Sequence, residues 1–337
     1  MNYKSYHDLE ELIKNNVSLL QSSDYDLIVG IPRSGMIAAY MIANYLNKDC
    51  CDIGVLTSNS TFETTRYPKG NSNYPSDAKN ILIVDDCIAS GNSLSNSLNS
   101  LREFDNVKIT TLCIYSSEKV RNDVDLFFEY LPSPRIFEWH IYHCVITKKS
   151  CFNIDGVLCM SPTTKQKNDD EKYLEFLLNT SPLFIPSEKI NYIITSRPEK
   201  YRNETETWLK NNGVQYDSLI MFKKRFDKGC PNFIEEVNYK ARVYKKSKQE
   251  LLYEEDRNQA VMIHRRTKKP VFCVGTNEMF SKGILISAIY GSRYSKNLIT
   301  DFSKEKLQKI PIFYSTMRAV YRIINNINKP SKKSLNR

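Results

Sequence analysis

No stretch of the 337-residue chain approaches the roughly 20 apolar residues that span a bilayer. The opening MNYKSYHDLEELIKNN also lacks the apolar run of a signal peptide. A membrane-embedded or secreted protein is therefore not expected, and the sequence predicts a cytoplasmic one. The nine cysteines contain no CxxC pair, and the adjacent Cys50 and Cys51 cannot form a zinc knuckle on their own. An odd set without that spacing reads as reduced thiols scattered through cores rather than a disulfide framework. Internal repeats and low-complexity tracts are missing too. So is the even spread of basic and aromatic residues that marks a polyanion-binding surface. Most of the net charge of +10 comes from residues 301–337, where nine Lys or Arg face two acids. Nucleic acid is not an expected partner.

What is present is an apolar fraction of 41%, enough for ordinary cores, in a chain long enough for two domains. A helical spacing of Leu9, Leu12, Ile13, Val17 and Leu20 precedes a strand at 26–30 and a helix in MIAAYMIANYL. Apolar runs recur at 53–56, 81–84, 109–114 and 143–147, and this alternation predicts a parallel sheet flanked by helices. The polar stretch 57–79 interrupts it and reads as a working loop or an insert. A second alternation starts at CFNIDGVLC, with strands expected at 190–195, 218–222, 250–253 and 271–274 and one helix at Lys172–Leu178. The expected organisation is α/β, with Rossmann-like parallel-sheet domains at 1–148 and 149–283 and a basic helical extension at 284–337. That extension either packs on the second domain or meets a membrane or an anionic acceptor, and peripheral membrane contact would arise through it.

ILIVDDCIASGNSL, residues 81–94, sets Asp85 and Asp86 at the end of a buried strand, the edge where open α/β sheets hold ligands. Ala89, Ser90, Gly91, Asn92 and Ser93 follow and lead into a helix, so free backbone N–H groups and two hydroxyls form a phosphate cradle. Carboxylates beside such a cradle repel an anion unless they face hydroxyls, a metal ion or a developing cation. A ribose phosphate supplies all of these.

The stretch resembles the signature of type I phosphoribosyltransferases. Two further segments occur in family order. GIPRSG, with Gly30, Arg33, Ser34 and Gly35, stands where that family holds pyrophosphate, and the 57–79 stretch stands where its flexible loop closes, with Arg66 and Lys69 as cations. The resemblance implies phosphoribosyl diphosphate as donor, Mg²⁺ on its pyrophosphate, Asp85 and Asp86 beneath the ribose, and a homodimer. Glu138, Trp139 and His140, in PRIFEWHIYH, are candidates for an acceptor pocket or simply for a core strand.

FNIDGVL resembles motif I of haloacid dehalogenase-like phosphatases. Asp155 matches the general acid/base, but Asn153 stands where the nucleophilic aspartate belongs. A neutral amide cannot form an aspartyl-phosphate, and it removes a charge from an Mg²⁺ site. YIITSRP supplies Thr195 and Ser196 for phosphate, Lys240 at a helix start (or Lys245) its neutralising cation, and Asp256, after Glu254 and Glu255, completes a metal set with Asn153 and Asp155. Either the domain is idle, or the chain carries an Asp→Asn change in an otherwise active enzyme. These resemblances together imply transfer of 5-phosphoribosyl to a hydroxyl of a saccharide or polyol-phosphate acceptor, possible as a lipid-linked one, followed by removal of the 5-phosphate to leave ribofuranose, as in phosphoribosyltransferase–phosphatase pairs of bacterial surface polysaccharides. Asp86 and Glu138 are the expected bases for a hydroxyl acceptor. Nucleobase transfer and a non-catalytic regulator that binds phosphoribosyl diphosphate are the alternatives.

Overall fold

In the computed structural model, residues 1–67, 74–101, 107–223 and 231–281 are described. Lys69 and the expected C-terminal helix lie outside them. Strand β1 (Asn2–Lys4) leads to α1 (Tyr6–Gln21), which opens on a reciprocal cap in which Ser5 accepts from the Asp8 amide and Asp8 accepts from the Ser5 amide. Then follow β2 (Leu27–Gly30), α2 (Gly35–Leu46), β3 (Asp49–Asp52), α3 (Ile53–Ser58), β4 (Asn80–Ile88), α4 (Asn92–Asn99), β5 (Lys108–Ser116), β6 (Leu126–Tyr130) and β7 (Arg135–Phe137). Five of these strands make a parallel sheet in the order β3-β2-β4-β5-β6, and β1 pairs with β7 apart from it.

β4 is the central strand, and its pleat explains the two cores. Leu82 and Val84 pack with α1 and α2 on one face, and Ile81 and Ile83 pack on the other with Leu56 of α3 and Leu94 of α4. All four are fully buried. The apolar run at 53–56 is a helix, not the expected strand, because the Asp52 carboxylate accepts from the amides of Gly54 and Val55 and caps a turn there. Likewise 143–147 is no strand: Val145–Lys149 forms a single 3-10 turn. The sheet edge is formed instead by β6, a strand that the apolar runs do not mark.

The second sheet is built from β8 (Ser150–Phe152), α5 (Thr164–Lys167), α6 (Asp170–Asn179), β9 (Ile190–Pro198), α7 (Arg202–Asn211), β10 (Tyr216–Phe222), α8 (Phe233–Lys246), β11 (Leu251–Glu254), α9 (Arg257–Thr267), β12 (Val271–Cys273) and β13 (Glu278–Phe280). The order is β10-β9-β8-β11-β12-β13, parallel except for the last pair. Lys240 lies in the middle of α8, which begins earlier than expected because Asn232 and Glu235 cap it reciprocally. Residues 1–281 form one compact unit. No described helix is long and apolar enough to cross a membrane.

Candidate active site

β2 ends its pairing with β4 at Val84, whereas β4 continues beside β5 to Ile88. The gap opens at the carboxyl edge of the sheet, and Asp85 and Asp86 stand in it. Loop 31–34 turns across the gap, with the Ile31 amide donating to the Val84 carbonyl at 2.9 Å. α2 then begins so close to β4 that a Cβ on Gly35 would lie 2.8 Å from the Val84 carbonyl oxygen and 3.1 Å from Asp85 Oδ1. Only a glycine allows that approach.

Asp86 is gripped from two sides. The Ser34 hydroxyl donates to its Oδ1 at 2.7 Å, and the Trp139 indole N–H donates to its Oδ2 at 2.7 Å. With that cover Asp86 is only 2% exposed and Asp85 8%, a deeper placement than the sequence pattern suggests. Burial, reinforced by the adjacent Asp86 charge, pushes the Asp85 carboxyl up to about 7. Trp139 itself stacks on Phe137 at 4.9 Å and meets Tyr6 at 5.6 Å. His140 lies within reach of the Asp86 and Arg33 charges, and burial holds its imidazole below the usual histidine range.

Beyond Ile88 the cradle is exposed at Ala89, Ser90, Asn92 and Ser93. Gly91, at φ +81°, turns the chain into α4. Arg121, which no motif flagged, braces this loop by donating to the Ala89 carbonyl at 2.7 Å while pairing with Asp123. Gly30 closes β2 against Met36, and Arg33 is exposed.

Two expected site residues lie elsewhere. Arg66 is held at the opposite edge of the sheet, where the buried Asp49 carboxylate at the start of β3 draws in the Thr64 hydroxyl, the Thr65 and Arg66 amides and the Arg66 guanidinium. Glu138 accepts from the Tyr6 amide at 2.9 Å at the start of α1, so it serves that helix rather than facing the acids.

At the carboxyl edge of the second sheet the charges satisfy one another. Asn153 Nδ2 donates to Glu254 Oε1 at 3.2 Å and to the Asp155 carbonyl at 3.0 Å. Lys240 is spent on Glu254 Oε2 at 2.7 Å, both side chains being 2% exposed. Asp155 takes two N–H groups of the buried Arg197, at 2.6 and 3.1 Å. Thr195 is fully buried, with Oγ1 accepting the Arg197 amide, and the Ser196 hydroxyl is buried without a protein partner. Asp256 accepts from the Gln259 amide at 2.8 Å as the cap of α9. Asn153, Asp155 and Asp256 therefore do not fit Mg²⁺: one is an amide turned donor-first to a carboxylate, one already carries a cation and one caps a helix. Among the described residues only His7, Glu10 and Glu11 bring three ligand atoms together, and they lie along α1.

Residues 2–141 match the model of the phosphoribosyl transferase domain. This stretch is a phosphoribosyl transferase domain. Solved structures similar to the chain include a purine phosphoribosyltransferase from Pyrococcus horikoshii Ot3 (16% identity over 41% of this chain and 92% of that one, TM-score 0.31). A Helicobacter pylori xanthine-guanine-hypoxanthine phosphoribosyltransferase is similar at 18% identity over 42% and 92%, with TM-score 0.33. An orotate phosphoribosyltransferase from Aeropyrum pernix is similar at 20% over 37% and 71%, with TM-score 0.26. No curated protein matches the chain. The matched stretch contains β4, the paired acids and the cradle, and its last residue lies two positions after Trp139.

Two outcomes follow from these charges. An acid whose folded pKa is raised loses stability as pH rises from its unfolded value, near 4, through about 7. Asp85→Asn removes that penalty, so denaturant melts should show the variant level with the parent at pH 4 and more stable at pH 8, by on the order of a few kcal/mol. Asn153→Asp replaces a donor to Glu254 by a second carboxylate. It should cost about 2–4 kcal/mol at pH 7, and a melt unchanged from the parent would show that the amide is not required.

Proposed function

We propose that the transferase domain moves the 5-phosphoribosyl group from phosphoribosyl diphosphate to a hydroxyl of a saccharide or polyol phosphate. The observation that carries the donor half is the buried Asp85–Asp86 pair beside the exposed residues of loop 89–93, at the carboxyl edge of a parallel sheet. The 5-phosphate fits the start of α4, with Ser90 and Ser93 as added donors, and the diphosphate fits the start of α2 beside Arg33 and Ser34. Carboxylates near the ring hydroxyls oppose the positive charge that grows on the sugar as the anomeric bond breaks. Asp85 and Asp86 are hard oxygen donors of the kind Mg²⁺ takes alongside a substrate diphosphate, and there the ion would neutralise the leaving group.

The acceptor half rests on His140. A hydroxyl is a weak nucleophile that needs a base within reach, and an imidazole whose charged form burial disfavours, set edge-on to the Trp139 ring that covers Asp86, is suited to that role. It replaces Asp86 and Glu138 as the candidate base, since both of those carboxylates are engaged elsewhere. In this reading the second sheet, with an amide at 153, leaves the 5-phosphate on the product. The test is incubation with phosphoribosyl diphosphate, Mg²⁺ and panels of sugars, polyol phosphates and nucleobases, read by mass spectrometry. Phosphoribosylated saccharide or polyol is expected. Transfer confined to nucleobases would overturn the acceptor assignment, and binding with neither transfer nor hydrolysis would favour a regulator.

A further inference from the structure

A tyrosine of the second sheet holds the turn that carries Trp139. Trp139 covers Asp86, and two residues later the Ile141 carbonyl accepts a 2.6 Å hydrogen bond from the hydroxyl of Tyr253 on β11. Tyr253 is fully buried, stacked on Phe152 at 3.9 Å, and the turn it holds is pinned further by Tyr142 lying flat on Phe184 at 4.3 Å. The backbone of Tyr253 accepts from the Asn153 amide at 3.1 Å, and its chain neighbour Glu254 carries the Lys240 pair. Asp86 Oδ2 is thus occupied by an N–H donor from a turn that the other sheet anchors. A ring hydroxyl that approaches the same oxygen competes with that indole.

We infer that Trp139 is a cover over Asp86 that the sugar donor must displace, and that Tyr253 of the second sheet is the positioning residue that holds the cover shut. The second sheet then tunes donor affinity without touching the donor. A regulator acting this way stabilises the closed arrangement, and donor binding works against it by its differential affinity for the open one.

The inference rests on the donor assignment above, so the experiment has one arm that does not. Without ligand, Tyr253→Phe should red-shift the emission of Trp139. Trp208, the other tryptophan, is buried in α7 and common to every variant. In calorimetric titrations with phosphoribosyl diphosphate and Mg²⁺, Tyr253→Phe and Trp139→Phe should each tighten binding by about tenfold, the worth of one hydrogen bond at this scale. The double variant should be no tighter than either single one. Tyr244→Phe removes a bond of the same kind within the second sheet, to the Pro270 carbonyl at 2.7 Å, and should change neither readout. Phe184→Ala, at a half-exposed position that tolerates truncation, loosens the same turn and should act in the same sense as Tyr253→Phe if the latter does not fold. Unchanged emission, weakened binding or additive effects would overturn the cover. Absence of donor binding in the parent and every variant would instead overturn the donor assignment, with the emission arm still deciding whether Tyr253 holds Trp139.

Discussion

The carboxylate of Asp86 holds the transferase site together. It is a buried charge, and a buried charge persists only where donors surround it. Here the donors come from sequence-distant places: Ser34 at the head of α2 and Trp139 in the turn after β7. That one requirement fixes the loop after β2 against β4, brings the aromatic turn over the sheet edge and leaves the cradle at 89–93 open beside it. The proximity of Gly35 to Asp85 is the steric counterpart of the same constraint.

Much of this was legible in the residues, and for identifiable reasons. A parallel strand buried on both faces is a continuous apolar run, so β4 and the acids that end it stand out in ILIVDD. The tight turn into α4 needs a positive φ, and SGNS advertises it through Gly91. The pairings of those groups were not legible. Nothing in local sequence says that Trp139 would donate to Asp86, that Glu138 would cap α1, or that a buried Asp49 would hold Arg66 at the far edge of the sheet. Arg121, Arg197 and Tyr253 escaped notice because each acts through a partner at least 30 residues away, or on a carbonyl, and neither leaves a local pattern. The run at 53–56 misled for the opposite reason: its apolar content is real, but the Asp52 cap decides the geometry.

The second sheet shows how strongly one atom type can redirect a site. An amide at 153 offers hydrogens to Glu254 and to a carbonyl, and around it Lys240, Glu254, Asp155 and Arg197 pair off into a neutral set. Such a buried network contributes specificity of packing more than net stability. It also commits Glu254 to Lys240 and one oxygen of Asp155 to Arg197, so neither is a free ligand of the kind a divalent ion takes.

The central claim is that Asp85 and Asp86 bind the sugar ring of an activated ribose. A crystal structure of the protein with phosphoribosyl diphosphate and Mg²⁺ tests it most directly. The account predicts ring hydroxyls within hydrogen-bond distance of these carboxylates, the 5-phosphate on the amides of 89–93 and the Trp139 indole turned away from Asp86. A donor lodged elsewhere, with the indole still bonded to Asp86, would contradict it.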